Sequence, residues 1–437
     1  ETGTPKRASK DLAWNSWIFM GVAAAPIGEN EAESLAARAR VWNRSRVVAL
    51  RRGGWSDLRD MVPLDKSTPA GSLLVDRDLE ALVGSAIRVR ESAPPIQRVQ
   101  ISPASLDLRL GARAWRIRSG FLPGPGSVEA RIDELSLGEI DLTRGAVLER
   151  GIPYLAAIEE ELTLPADLRA RFNPRSSTGR CDVFTRVLCS NHPRFDEAPP
   201  GYRGRLWIEI APLSFPVRLA RGDRLAQLRL ARGHAALDAD ELRALHARSS
   251  LVHDARGSAE ATIDDEGALA LTVGLAGRDP AGWRAASHTE VVEFATEGAH
   301  DPADFFEPVH ARNGRCILEP GSFYVFASRE RLAIPPDHAA EMLPIDVGVG
   351  ELRNNYAGFF DNGFGCGAAG EVRGTPAVLE VRAHDVPFLV EDGQPFCRLR
   401  YFRTNGRPDR LYGEGRSASY RNQDLTLARC FRGRTGE

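Results

Sequence analysis

The chain has 437 residues, more than one hydrophobic core usually serves. With 43% hydrophobic and 27% charged residues and a net charge of −2, it reads as a soluble globular protein with no basic excess to draw it to nucleic acid. No apolar run approaches the roughly 18 residues of a membrane-crossing helix, and Lys6, Lys10 and Lys66 are the only lysines, which excludes lysine nucleophiles and P-loop lysines from the rest of the chain.

In chain order, residues 1–70 form an N-terminal extension. Trp14, Trp17, Phe19 and Met20 make an apolar knot, and Glu31 to Leu50 is weakly helical in period. The extension is expected either to pack on its own domain or to dock on a partner. The sequence opens at Glu1-Thr-Gly-Thr without methionine, which fits removal of a targeting segment and points to the mitochondrial matrix, with the cytoplasm as the alternative. Asp76 to Val83 predicts a short capped helix. Residues 71–235 then hold short apolar or alternating runs, such as Ser105-Leu-Asp-Leu-Arg-Leu and Leu206-Trp-Ile-Glu-Ile, broken by glycine and proline. That is the signature of a β-sandwich or barrel. Residues 236–290, helical at first and then rich in glycine and aspartate, are expected to be a connector. A second β domain follows at 291–403, and a polar tail at 404–437.

The two β domains are copies. Gly145-Ala-Val-Leu-Glu149-Arg-Gly151-Ile-Pro-Tyr154 returns as Gly314-Arg-Cys-Ile-Leu318-Glu319-Pro-Gly321-Ser-Phe-Tyr324, and Leu162-Thr-Leu164-Pro165 as Leu332-Ala-Ile334-Pro335. Glu209 pairs with Glu380, and Arg221-Gly222 with Asp392-Gly393. A repeat of about 170 residues is a duplicated domain, since solenoid units run from roughly 20 to 50.

The first copy carries the chemistry-bearing pattern. Arg175-Ser176-Ser177-Thr-Gly-Arg180 sets two hydroxyls and a fixed positive charge where a phosphate or developing anion would meet them. Phe195-Asp196 and Gly201-Tyr202-Arg-Gly204 follow. Glu209, at the end of an apolar strand, is a candidate general base in a partly dry setting. In the second copy Pro344-Ile-Asp-Val-Gly-Val-Gly350 replaces Ser-Ser-x-x-Arg, so that copy is expected to complete the assembly and lend Glu380 and the tail to a shared site. Six cysteines without a CxxC pair read as free thiols. Gly365-Cys-Gly367-Ala-Ala-Gly370 reads as a loop, His288-Thr-Glu290 lacks the PCxxC half of a zinc deaminase signature, and no protein-held metal is expected.

Residues 175–230 resemble the dCTP deaminase branch of the deoxyuridine-triphosphatase superfamily, through Arg-Ser-Ser-x-x-Arg, the Gly201-Tyr202-Arg-Gly204 turn and the strand ending at Glu209. From residue 71 the chain is similar to the long, duplicated bacterial deaminase, through Pro103-Ala-Ser-Leu-Asp-Leu-Arg-Leu-Gly111, Ser119-Gly-Phe-Leu-Pro-Gly124, Ser176 to Arg186 and Tyr356-Ala-Gly-Phe-Phe-Asp361. The resemblance implies a mainly β fold of two tandem distorted β-barrels of jelly-roll type with short helices. It implies a three-fold homo-oligomer with sites at subunit interfaces, and conversion of dCTP to dUTP and ammonia. Glu209 would activate water, and Ser176 and Arg180 would position it and the base. Ser177 and Tyr202 would line the substrate site, and the backbone from Val187 through Cys189 to Ser190 would read the pyrimidine edge. Tyr420 and Gln423 match the family's closing tail, although Asp424 stands where a glycine is usual. Magnesium would arrive with the triphosphate. Asp196 keeps dUTP pyrophosphatase activity open as a further alternative. The competing class is a structural subunit of a larger mitochondrial complex, docked through residues 1–70.

Overall fold

Strands form where apolar residues alternate between glycine and proline breaks, and the alternation sets which face each strand buries. The computed structural model describes residues 71–433 apart from 255, 346, 347, 349–351, 355–357, 367–373, 384 and 415–423. The N-terminal extension, Tyr420 and Gln423 therefore lie outside the described residues.

In the first repeat, one sheet runs in the order Glu197–Ala198, Leu168–Pro174, Ala226–Arg232, Ser105–Leu108, Ile101–Ser102. The other runs Val183–Cys189, Arg203–Pro212, Tyr154–Thr163, Leu110–Ile117, Ser136–Asp141. Both are antiparallel. Strand Arg203–Pro212 shows how the pattern places side chains: Leu206, Ile208 and Ile210 enter the core between the sheets, while Trp207 joins a separate cluster on the outer face with Trp115, Leu155 and Leu188. Helix Val128–Leu135, capped by Ser127, covers that outer face with Val128, Ile132 and Leu135. The expected short helix forms over Asp76–Leu82.

The second repeat keeps the plan. Phe323–Leu332, His338–Leu343, Thr375–Ala383 and Pro395–Arg403 occupy the places of Tyr154–Thr163, Leu168–Pro174, Arg203–Pro212 and Ala226–Arg232. The expectation of a connector at 236–290 is corrected. After helix Ala239–Ser249, strands Val252–Asp254, Ala268–Thr272 and Gly282–Ala285 pair with Phe323–Leu332, Pro395–Arg403 and Phe323–Leu332 respectively, so this stretch belongs to the second repeat's sheets. Gly267 and Gly277 sit in its turns at φ +76°, a conformation that glycine adopts without strain.

The repeats are fused through apolar and charged contacts. Phe305, Phe306, Phe323, Val325 and Val378 from the second half, with Leu427 and Phe431 from the C-terminal segment, complete the first repeat's core. On another side Arg229, fully buried, lies 2.8 Å from Glu341 and 4.1 Å from the centre of the Phe359 ring. Burial pushes the Glu341 carboxyl up, but Arg229, Arg171 and the Asn173 amide outweigh it and hold Glu341 below the ordinary carboxylate range.

Candidate active site between the repeats

The motif Arg175-Ser-Ser-Thr-Gly-Arg180 leaves strand Leu168–Pro174 and forms a single-turn helix, Ser176–Arg180. Ser176 is half-buried, and Ser177, Thr178 and Arg180 are buried. The turn is fixed by Thr178, whose hydroxyl donates to the Leu225 carbonyl at 2.8 Å. It aims Arg180 into the second repeat. The guanidinium lies 3.7 Å from Glu380 and donates to the Thr426 carbonyl at 2.9 Å.

Glu380 stands in strand Thr375–Ala383, opposite Val325. Its neighbours Leu379 and Val381 enter the second repeat's own core, whereas Val378, on Glu380's side, joins the first repeat's core. The outer face of the second repeat's sheet is therefore covered by the first repeat, and Glu380 is only 2% exposed. Burial pushes its carboxyl up to about 8, with Arg180 opposing and Asp182 adding to the rise. Two residues further along each chain segment, Arg382 donates to Asp182, which also accepts from the Ser214 hydroxyl at 2.6 Å. Two charge pairs thus lock the helix's C-terminal end to the strand.

Glu209, the equivalent acid of the first repeat, is elsewhere. It points to the outer face with Leu155 and Trp207, away from the core side on which Cys181 packs. Its cross-strand neighbour is Arg186, whose guanidinium lies 4.6 and 4.5 Å from the centres of the Phe184 and Phe195 rings. A side chain on Gly120 would lie 2.7 Å from Glu209 Oε1, so the Ser119-Gly-Phe loop reaches it by virtue of that glycine. Burial raises the Glu209 carboxyl, Arg186 opposing, and among the described residues it has no hydrogen-bond partner. The expected trio of Glu209, Ser176 and Arg180 is therefore not assembled within one chain. Sequence proximity put them in one repeat, but Arg180 leaves its single-turn helix towards Glu380, whereas alternation along strand Arg203–Pro212 turns Glu209 to the outer face.

Other expected residues have structural partners. The Val187 N–H donates to Asp196 Oδ1 at 2.8 Å and its carbonyl accepts from the Asp196 N–H at 2.9 Å, so neither group faces a base. Burial pushes Asp196 up to about 7, opposed by the Val187 N–H. The Ser190 hydroxyl accepts from the Val128 N–H at 3.1 Å, Cys189 is buried, and Tyr202 donates to the Arg205 carbonyl at 2.7 Å. The turn geometry also sets the two copies in register. The Tyr202 N–H donates to Pro199 O and the Phe364 N–H to Asp361 O, around Gly201 and Gly363 at φ +74° and +88°. Pro199, not Asp196, is thus the counterpart of Asp361. Sequence reading also missed Asp182, Arg382 and Thr426. The spacing that could have revealed the pair is Arg180 to Asp182 against Glu380 to Arg382. Among the described residues no His, Cys, Asp or Glu cluster could hold a metal ion.

Residues 70–234 match the 2'-deoxycytidine 5'-triphosphate deaminase N-terminal domain, and 238–431 match its C-terminal domain. A dUMP-forming dCTP deaminase of Parafrankia sp. is 32% identical over 164 residues, 37% of this chain and 76% of that protein. The chain belongs to the dCTP deaminase family. The dCTP deaminase of Haloarcula marismortui is 32% identical over 133 residues, 30% of this chain and 65% of that protein. The crystal structure of the deaminase from Agrobacterium tumefaciens matches with a TM-score of 0.72 at 44% identity, covering 79% of this chain and 99% of that one. As a dCTP deaminase family member, the chain has the mainly β fold expected from its sequence.

Proposed function

We propose that the chain hydrolyses dCTP to dUTP and ammonia at the site shared by its two repeats, with Glu380 as general base. The observation that carries the reading is the 3.7 Å approach of Arg180 from one repeat to Glu380 from the other. A carboxylate in a dry setting, next to a fixed cation, is a base whose pKa is tuned towards neutrality. Glu380 takes a proton from water as the oxygen bonds to C4 of the cytosine. It passes that proton to N3, then takes the proton of the new C4 hydroxyl and gives it to the amino group, which leaves as ammonia while C4 becomes a carbonyl. Arg180 and the Ser176 and Ser177 hydroxyls orient the water and the base. No protein-held metal takes part in this route, and magnesium accompanies the triphosphate.

The C-terminal segment covers the site through Thr426, anchored by Leu427, Cys430 and Phe431 in the core. Substrate entry requires this segment to lift, and Tyr420 and Gln423 precede it directly in the chain. We read dUTP rather than dUMP as the product, because Asp196 is spent on Val187 and Pro199 occupies the turn position that Asp361 keeps in the second repeat. Incubation with dCTP and with dUTP, following ammonia and pyrophosphate separately, tests this. Ammonia from dCTP without pyrophosphate is expected. Pyrophosphate from dUTP would overturn the product assignment, and absence of ammonia would leave the structural-subunit role.

A further inference from the structure

The two repeats finish their small outer ribbons differently. In the first, Ala146–Leu148 pairs with Val217–Leu219, and the far edge of Val217–Leu219 is covered by a parallel strand, Val292–Glu293. The Val292 N–H donates to the Pro216 carbonyl at 2.9 Å, and Arg218 holds Glu293 at 2.9 Å. In the second, Arg315–Leu318 pairs with Phe388–Glu391, and among the described residues no third strand follows. The registers make Ile317 opposite Leu389 the counterpart of Val147 opposite Arg218. The arginine that holds an acidic strand is thus a leucine. Ile317, Leu389 and Val386 are 58%, 50% and 63% exposed, three of the six large hydrophobic residues exposed among those described.

An uncovered strand edge is a template for another strand. The first repeat shows that this ribbon accepts one, and the exchange of arginine for leucine asks for an apolar residue where Glu293 sits. We propose that this edge joins two copies of the chain, with Phe388–Glu391 of each adding antiparallel to the other about a two-fold axis. The segment's own chemistry selects this occupant. An axis through Leu389 sets the two Leu389 side chains together, Phe388 opposite Val390 and Pro387 opposite Glu391, with no like charges facing. Arg315 and Glu391 already satisfy each other within the ribbon at 2.6 Å, so the edge needs no ionic partner. Pro387 has no N–H to extend the ladder, and the Glu391 N–H already donates to the Gln394 amide oxygen at 3.1 Å, which confines the ladder to the Leu389 pair and keeps the association weak and concentration-dependent. The proposal does not depend on the catalytic reading.

The full chain carrying Leu389→Cys, oxidised mildly and run without reductant, is expected to give a band of doubled mass. Val99→Cys, at a site 48% exposed in the first repeat, serves as the control for random collision. In sedimentation at tens of micromolar, Leu389→Arg, which restores the first repeat's residue, is expected to lower the average mass. Cross-linking of Leu389→Cys no faster than Val99→Cys, or an unchanged mass for Leu389→Arg, would overturn the proposal. So would capture of the introduced thiol by Lys6, Lys10 or Lys66 of the same chain with a thiol-to-amine reagent, since the edge would then belong to the N-terminal extension.

Discussion

Glu209 and Glu380 hold equivalent positions in equivalent strands but meet different neighbours, and the proposal of Glu380 as base rests on that difference. Glu380 faces Arg180, while Glu209 faces Arg186 and the Gly120 loop. With Glu380 as the base, kcat/KM should rise with pH through about 8, the value to which burial pushes its carboxyl. A rate profile already flat above pH 6 would contradict this. Gly120→Ala should displace the Glu209 carboxylate, because the added methyl meets Oε1 at 2.7 Å, yet leave ammonia release unchanged. The residue types of the site were legible in the sequence, including Glu380 as a contribution to a shared site. Their grouping was not, because Arg180 and Glu209 are close in the chain, and only the fold sends helix Ser176–Arg180 to the second repeat while Glu209 faces outward.

The element that assembles the site is the pairing of helix Ser176–Arg180 with strand Thr375–Ala383. Arg382 and the Ser214 hydroxyl are partners of the fully buried Asp182 carboxylate. Arg382→Met should therefore destabilise the chain by about 3–5 kcal/mol in denaturant unfolding, the usual effect of stranding a buried charge. Arg382→Lys should recover part of it. A loss below about 1 kcal/mol, the scale of an exposed ion pair, would show that water already reaches Asp182. Most strands could be read from period-two alternation and glycine or proline breaks. The stretch 236–290 could not, since its short strands are separated by long polar turns and gain their partners from Phe323–Leu332 and Pro395–Arg403, far along the chain.

At the scale of the whole molecule, folding buries carboxyl groups that would rather stay protonated. Burial pushes Asp196 and Asp361 up to about 7 and Glu380 up to about 8, from ordinary values of 3.8 and 4.5. Each is an acid whose folded value lies above its unfolded one, so the stability it lends is full below about pH 4 and is lost as pH rises towards about 8. The unfolding free energy should fall across that window. Asp361→Asn, which keeps an acceptor for the Ala104 N–H at 3.1 Å, should flatten the fall, and a slope unchanged by the substitution would contradict the assignment. Glu341 works in the opposite direction, its support being lost only under acid conditions below its ordinary range. The duplication was legible from the sequence, as was the loan of Glu380 to a shared site, but the Asp182–Arg382 pair that fixes the two repeats together there was not.

The most direct measurement compares ammonia release from dCTP by Glu380→Gln and by Glu209→Gln, with folding of each verified by its unfolding transition. Loss of ammonia release in Glu380→Gln with retention in Glu209→Gln is the expected result. The reverse pattern would contradict a site completed within one chain and would place the chemistry at Glu209.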